Sequence, residues 1–197
     1  MIIPREPPLD MKLSNGGHRR DYTPAPQVTK AYLLGVLHDA TERKTTYRVA
    51  SKSKEYCEFL SKEISKFSYK GWVYREGKNR NLWIVEFSKS VLKNTEVKTR
   101  KDKIDYIRGY FDTEGGIAKS SKVRYYIYFA QKDKEDLLEV RKYLEEAEIS
   151  CGNLHNPSKR VDPNYWRFFV RAKSYSDFAS LINSSHPVKR KYLRMKI

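Results

Sequence analysis

The apolar residues of this chain follow two rhythms, and the rhythms recur in the same order twice. In SKEYCEFLSKEISKF, residues 53–67, Cys57, Leu60, Ile64 and Phe67 repeat at the spacing that lines one face of a helix. In KEDLLEVRKYLEEA, 134–147, Leu137, Val140, Leu144 and Ala147 repeat it 80 residues further on. Before each stripe comes a stretch alternating at period two, TTYRVAS (45–51) and VRYYIYFAQ (123–131), which reads as a strand. After each come two more strand-like segments: YKGWVYRE and NLWIVEF around a basic tip, then SCGNLHN and NYWRFFVR. A helix opens each half. Thr29 caps one that runs to about Ala40, and Thr99 with Asp102 forms a capping box before KIDYIRGYFDTEGG. SYSDFASLIN, 174–183, is a short closing helix with Ser174 and Asp177 as a further capping box.

This order predicts an α+β protein of two α-β-β-α-β-β-α halves, 29–98 and 99–197, the second ending in a basic tail. The halves are expected to pack about a pseudo-twofold axis like a covalently linked dimer, with antiparallel sheets and helices on the outer face. Residues 1–28, with five prolines between Pro4 and Pro26 and the run His18-Arg19-Arg20, have no periodicity and read as a basic arm.

Charge narrows the function. The 197 residues include 40 Lys and Arg against 24 Asp and Glu, a net +16. Such an excess repels itself unless a polyanion neutralises it, and nucleic acid is the first candidate. No apolar run approaches the roughly 20 residues of a membrane span, and no secretory signal is visible. Cys57 and Cys151 stand far apart, outside any CxxC, and are expected as reduced thiols in a cytoplasmic protein.

The two opening helices carry the candidate chemistry. YLLGVLHDATE (32–42) and YIRGYFDTEGG (106–116) place Gly35 and Gly109 at the same point. Glycine inside a helix costs about 1 kcal/mol relative to alanine, and is tolerated where another backbone comes close. If the helices cross there, their C-terminal ends emerge side by side, with Gly115 in the left-handed conformation that stops the second. Acids crowd that end: Asp105, Asp112 and Glu114. Negative charge is unfavourable against a helix C-terminus, unless a divalent cation joins the carboxylates and carbonyls.

These two segments resemble the paired LAGLIDADG motifs of homing endonucleases. IRGYFDTEG matches well and LLGVLHDAT is an altered form; the resemblance covers roughly residues 29–183. It implies a single-chain, monomeric, site-specific double-stranded DNA endonuclease that uses Mg²⁺, or another divalent cation, to hydrolyse phosphodiesters. Its location would be cytoplasmic, or organellar or nucleoid-bound where its DNA target lies. In that family one acid from each motif holds metal. Glu114 fills the second position, and the residue at the same distance from Gly35 is Ala40, so the first acid is either displaced to Asp39 or lost. The resemblance also assigns Gln131 to ordering solvent, with Ser51 as its first-half match. It assigns Lys89 and Lys173, each just past the last long strand of its half, to the scissile phosphates. Gly35 to Lys89 spans 54 residues and Gly109 to Lys173 spans 64, which favours an asymmetric target. The competing reading is a nickase or a non-cleaving protein of the same fold that binds DNA or, as a maturase does, intron RNA.

Strand parity predicts the binding face. Lys44, Thr46 and Arg48 share one face of the first strand, and Lys122, Arg124, Tyr126 and Tyr128 one face of its counterpart. Arg167 and Arg171 lie opposite Trp166, Phe168 and Val170. Arg75, Lys78 and Arg80 belong to the first hairpin. Together they would form a basic saddle for a DNA major groove, arginines reading bases and lysines holding phosphates.

Overall fold

The structure, a computed structural model, describes residues 26–120 and 122–194; the expected basic arm falls almost wholly outside them. The first half comprises α1 (Lys30–Val36), β1 (Ala40–Glu42), β2 (Thr46–Ser51), α2 (Lys54–Ser65), β3 (Gly71–Arg75) and β4 (Trp83–Ser88). The second comprises α3 (Arg100–Glu114), β5 (Gly115–Ile117), β6 (Ile127–Gln131), α4 (Lys134–Glu146), β7 (Trp166–Phe169), α5 (Tyr175–Ile182) and α6 (Pro187–Arg194). The sheets are antiparallel, in the orders β1-β2-β4-β3 and β5-β6-β7.

Each half buries its own core beneath its sheet. The striped residues do this in both: Cys57, Leu60 and Ile64 pack on Val49, Val85 and Phe87, while Leu137, Val140 and Leu144 pack on Ile127, Phe129 and Phe168. The expected strand parity holds, since the residues between these core positions face away from the helices. The cysteines are buried and unpaired. No described helix is long and apolar enough to cross a membrane.

The halves meet where α1 crosses α3. A Cβ built on Gly35 would lie 2.0 Å from the Tyr106 carbonyl oxygen, and one on Gly109 would lie 2.0 Å from that of Tyr32. Each glycine thus receives the backbone of the residue three positions before its counterpart, the reciprocity of a twofold contact. Asp105 serves this junction, accepting from the Thr29 hydroxyl at 3.0 Å and pairing with Arg108 at 2.6 Å.

Several expectations change in detail. The first helix stops at Val36 and tightens into a 3-10 turn, Leu37–Asp39, before Ala40 begins a strand. Gly115 is not left-handed; its φ of −75° and ψ of 148° start β5 at once. The Phe111 ring packs where its side chain would be, 2.1 Å from a built Cβ, so space rather than handedness selects glycine there. The segment SCGNLHN makes only isolated bridges, Cys151 to Val170 and His155 to Arg167. Ser174 does not cap α5; its hydroxyl accepts from the Ser150 amide at 3.0 Å. The supposed tail contains α6, which packs Leu193 and Tyr192 against the core.

Candidate active site at the paired helix ends

Asp39 and Glu114 are each the last helical residue before the edge strand of their sheet. The 3-10 turn removes one residue between glycine and acid, so Asp39, not Ala40, stands at the junction where Glu114 stands. The charge of Asp39 reaches Glu114. Loss of hydration, then the charge of Asp39, pushes Glu114 up to about 7. Asp39 keeps one side open to solvent, and the protein packed around its other sides raises it as well.

Gln131 joins the two ends. From the last position of β6 its Nε2 donates to Glu114 Oε1 at 3.0 Å and to the His38 carbonyl at 3.3 Å. The turn carrying Asp39 is held further by its own histidine: His38 Nε2 meets the Tyr106 hydroxyl at 2.5 Å and Nδ1 meets Asp136 at 2.8 Å. Three residues of the second half therefore clamp a turn of the first. Replacing His38 with alanine is expected to cost about 1 kcal/mol and lower Tm by about 2–4 °C. Calorimetric titration with Mn²⁺ should also show weaker binding, because Asp39 loses its support.

Sequence reasoning missed Lys189. From α6 its Nζ reaches into the C-terminus of α3, donating to the carbonyls of Phe111 and Gly115 at 2.6 Å each and of Thr113 at 3.2 Å. Burial lowers it to about 8, opposed by Asp112, Glu114 and Asp39. An ammonium is the favourable partner of a helix C-terminus, and it offsets the acids gathered there. Asp112 brings it into place. Buried and raised by desolvation, Asp112 accepts from the amides of Ser185 and His186 at 2.9 and 3.2 Å, from the Ser184 hydroxyl and from Tyr32 at 2.7 Å. That fixes the turn leading into α6.

The two lysines expected near the phosphates lie at the opposite ends of their sheets from the two carboxylates. Ser51 pairs with Trp83 and Gln131 with Trp166, so the carboxylate ends of the sheets face the starts of β4 and β7. Lys89 and Lys173 follow the ends of those strands. Lys89 bonds Glu42 and sits 5.5 Å over the Tyr47 ring, while Lys173 is exposed beside Tyr126 and Arg171. Ser51 accepts from the Ser53 amide at the start of α2.

The remaining expected contacts lie on the outer faces of the sheets or on their connecting loops. In the first half they are compensated: Arg48 pairs with Glu76 at 3.0 Å and Glu86 at 3.8 Å, Thr46 donates to Glu86, and Arg75 Nε donates to the Arg80 carbonyl. Lys44, Lys78 and Arg80 are exposed on loops, with Arg80 3.9 Å from Glu76. In the second half Lys122, Arg124, Arg167 and Arg171 make no salt bridge with any described carboxylate. Arg167 lies 4.6 Å over the Tyr128 ring.

As oxygen donors, Asp39 and Glu114 suit a hard divalent cation. No group of three or more His, Cys, Asp or Glu among the described residues could hold one. Two protein carboxylates would then share it with water and a phosphate.

Two sheets, notched helices and an acid at each helix end define a two-half protein of the LAGLIDADG fold. Residues 101–183 match the family described as a LAGLIDADG-like domain. Among solved structures, the chain is similar to the homing endonuclease I-DmoI in complex with DNA and Ca, with a TM-score of 0.61 and 18% identity over 85% of this chain and 96% of that one. Mesophilic variants of I-DmoI give 0.58 and 20% over 80% and 96%. The N-terminal LAGLIDADG domain of DUF199/WhiA gives 0.61 and 12% over 81% and 85%. No curated protein matches the chain.

Proposed function

We propose that this protein is a site-specific, divalent-metal-dependent double-stranded DNA endonuclease. One observation carries the reading: two carboxylates, one from each half, at helix ends joined by a glutamine, with the charge of Asp39 adding to the burial that raises Glu114. Solved relatives hold DNA with Mn or Ca, which supports the choice of partner. Asp39 and Glu114 would hold the cation. A bound cation would supply charge to stabilise the phosphodiester during in-line hydrolysis. Gln131 would orient Glu114 and hold the Asp39 turn against it, and Lys189 would keep positive potential beneath the phosphate. The duplex would lie across the outer faces of the sheets, with its backbone on their basic residues.

Incubation with a plasmid library of randomised sites, in Mg²⁺ or in EDTA, tests the reading. Cleavage at one long, asymmetric sequence in Mg²⁺ alone is expected. Affinity for that site should fall steeply with salt through counterion release, and a flat response would remove the saddle. A second reading, a binding protein that does not cut, is favoured by Lys189, whose buried ammonium already neutralises the acids. Tight duplex binding without Mn²⁺ binding or cleavage would select it.

A further inference from the structure

An acid sits in the middle of a sheet face assigned to DNA. Glu86 lies on the outer face of the inner strand β4, opposite Arg48 on β2 and Trp72 on β3. Hydrogen bonds from the Thr46 hydroxyl and the Tyr74 hydroxyl, 2.6 Å each, hold its carboxyl below the ordinary value, so it is ionised at neutral pH. A carboxylate on this face repels a phosphate backbone, and its place needs a reason. The matching pair in the second sheet, Tyr128 opposite Phe169, carries no charge.

The reason is Arg48. The Tyr74 hydroxyl spends its proton on Glu86 and accepts from Arg48 Nε at 2.9 Å. Glu76 accepts from Nη2 of the same guanidinium at 3.0 Å. Nε and Nη2 lie along one edge of that planar group, whose donors are fixed in direction. The protein therefore fills the side of the fork and leaves its end, Nη1 with the second hydrogen of Nη2. Nη1 has no acceptor among the described residues and touches solvent. Only 14% of the side chain is exposed, so the fork is held in place.

A held cation and a free one suit different parts of a duplex. A phosphate approaching Arg48 would also meet Glu76 and Glu86, 3.0 and 3.8 Å from its nitrogens. Arg80, 3.9 Å from Glu76, and the charge of Arg43 offset these acids only in part. Lys44 and Lys78, exposed and paired with no described carboxylate, are the better phosphate contacts. A rigid fork instead matches two acceptors fixed in one plane, and in a major groove guanine O6 and N7 are that pair. The geometry points to Arg48 as the residue that reads one guanine of the target, with Tyr74, Glu76 and Glu86 as its positioning residues. This rests on the duplex binding proposed above; the choice of base follows from the fork.

Selection by the full chain from a randomised duplex library tests this, in EDTA so that binding alone is read. The wild type should prefer guanine at one position by about tenfold or more. Arg48→Ala should lose that preference and keep those at the other positions. Its salt slope should not change, whereas loss of a phosphate contact would reduce the slope by about one. 7-Deazaguanine at that position pairs with cytosine but lacks N7. It should weaken wild-type binding by about fivefold, the scale of one hydrogen bond, and leave Arg48→Ala binding unchanged. Tyr74→Phe should lower the guanine preference by about fivefold; Tyr74 is exposed, and melting curves verify that both variants fold. An unchanged guanine preference in Arg48→Ala, a uniform loss with a shallower salt slope, or a wild type indifferent to 7-deazaguanine would each overturn the proposal. A selected site read this way but never cut in Mg²⁺ would remove the endonuclease and leave Arg48 as the reader. A site that is cut but indifferent to Arg48 would do the reverse, and no selected site would remove both.

Discussion

Gly109→Ala is expected to lower Tm by about 4–8 °C, the effect of about 2 kcal/mol in a chain of this size. The added methyl would sit 2.0 Å from the Tyr32 carbonyl oxygen and 3.0 Å from the Val36 amide nitrogen. Both are backbone atoms, so no side chain can swing aside. Overpacking of this kind costs about 1–3 kcal/mol or more, against which alanine's helix propensity returns at most about 1. Gly35→Ala should behave alike, since its methyl would meet the Tyr106 carbonyl at the same 2.0 Å. The double variant should lose less than the sum, because helices already forced apart by one methyl leave room for the other. Gly152→Ala is the control: its nearest atom, the Phe169 carbonyl oxygen, lies 3.4 Å away. Additive losses, or an unchanged Tm for Gly109→Ala, would mean that the crossing is not as tight as drawn.

That crossing was legible before any coordinates. A glycine in the same place in two similar helices implies close backbones, and two matched stripes imply two cores under two sheets. Less legible was whatever lacked periodicity. Strands β1 and β5, three residues each, are too short to show alternation, so the junction between helix and strand was invisible. Counting residues from the glycine then pointed to Ala40. Only the 3-10 turn, which brings Asp39 to the helix end, resolves that ambiguity. In α6, PVKRKYLR fully buries Leu193 alone, with Tyr192 partly buried against the core, and a helix held by so few apolar residues and by hydrogen bonds reads as a tail.

The displacement of Lys89 and Lys173 has a geometric cause. In an antiparallel pair, the end of one strand faces the start of the next. Gln131 ends β6 and faces Trp166, so whatever follows β7 is carried to the other end of the sheet. Lysines placed just past the last strand were correctly located in the chain and therefore remote from the acids. Lys189 reaches them because the chain turns back through α5 and is pinned at Ser184 to His186 by Asp112. Asp112 read as one of three misplaced acids. It is the anchor that brings a cation close to Glu114 and Asp39.

Glu114→Gln should abolish Mg²⁺-dependent cleavage, by about a thousandfold or more, on the scale of one lost charge-stabilising group worth about 4 kcal/mol. Duplex binding should survive, because the outer faces of the sheets are untouched. The same substitution should stabilise the protein, with a distinctive pH dependence. In the folded state the Glu114 carboxyl is raised from its ordinary 4.5 to about 7. Between those values the folded chain holds a proton that the unfolded chain has released, so wild-type stability falls as pH rises through that window. Glutamine has no proton to lose. Variant and wild type should melt nearly together at pH 5 and separate by pH 7.5, with the variant higher; Lys189, lowered to about 8, titrates at the upper edge of this range in both chains. Mn²⁺ binding by the wild type should rise over the same interval, since the cation competes with that proton, and the variant should show little of it. A Tm difference independent of pH would mean that burial and the charge of Asp39 do not raise the Glu114 carboxyl. Undiminished cutting by the variant would remove the carboxylate pair from the chemistry altogether.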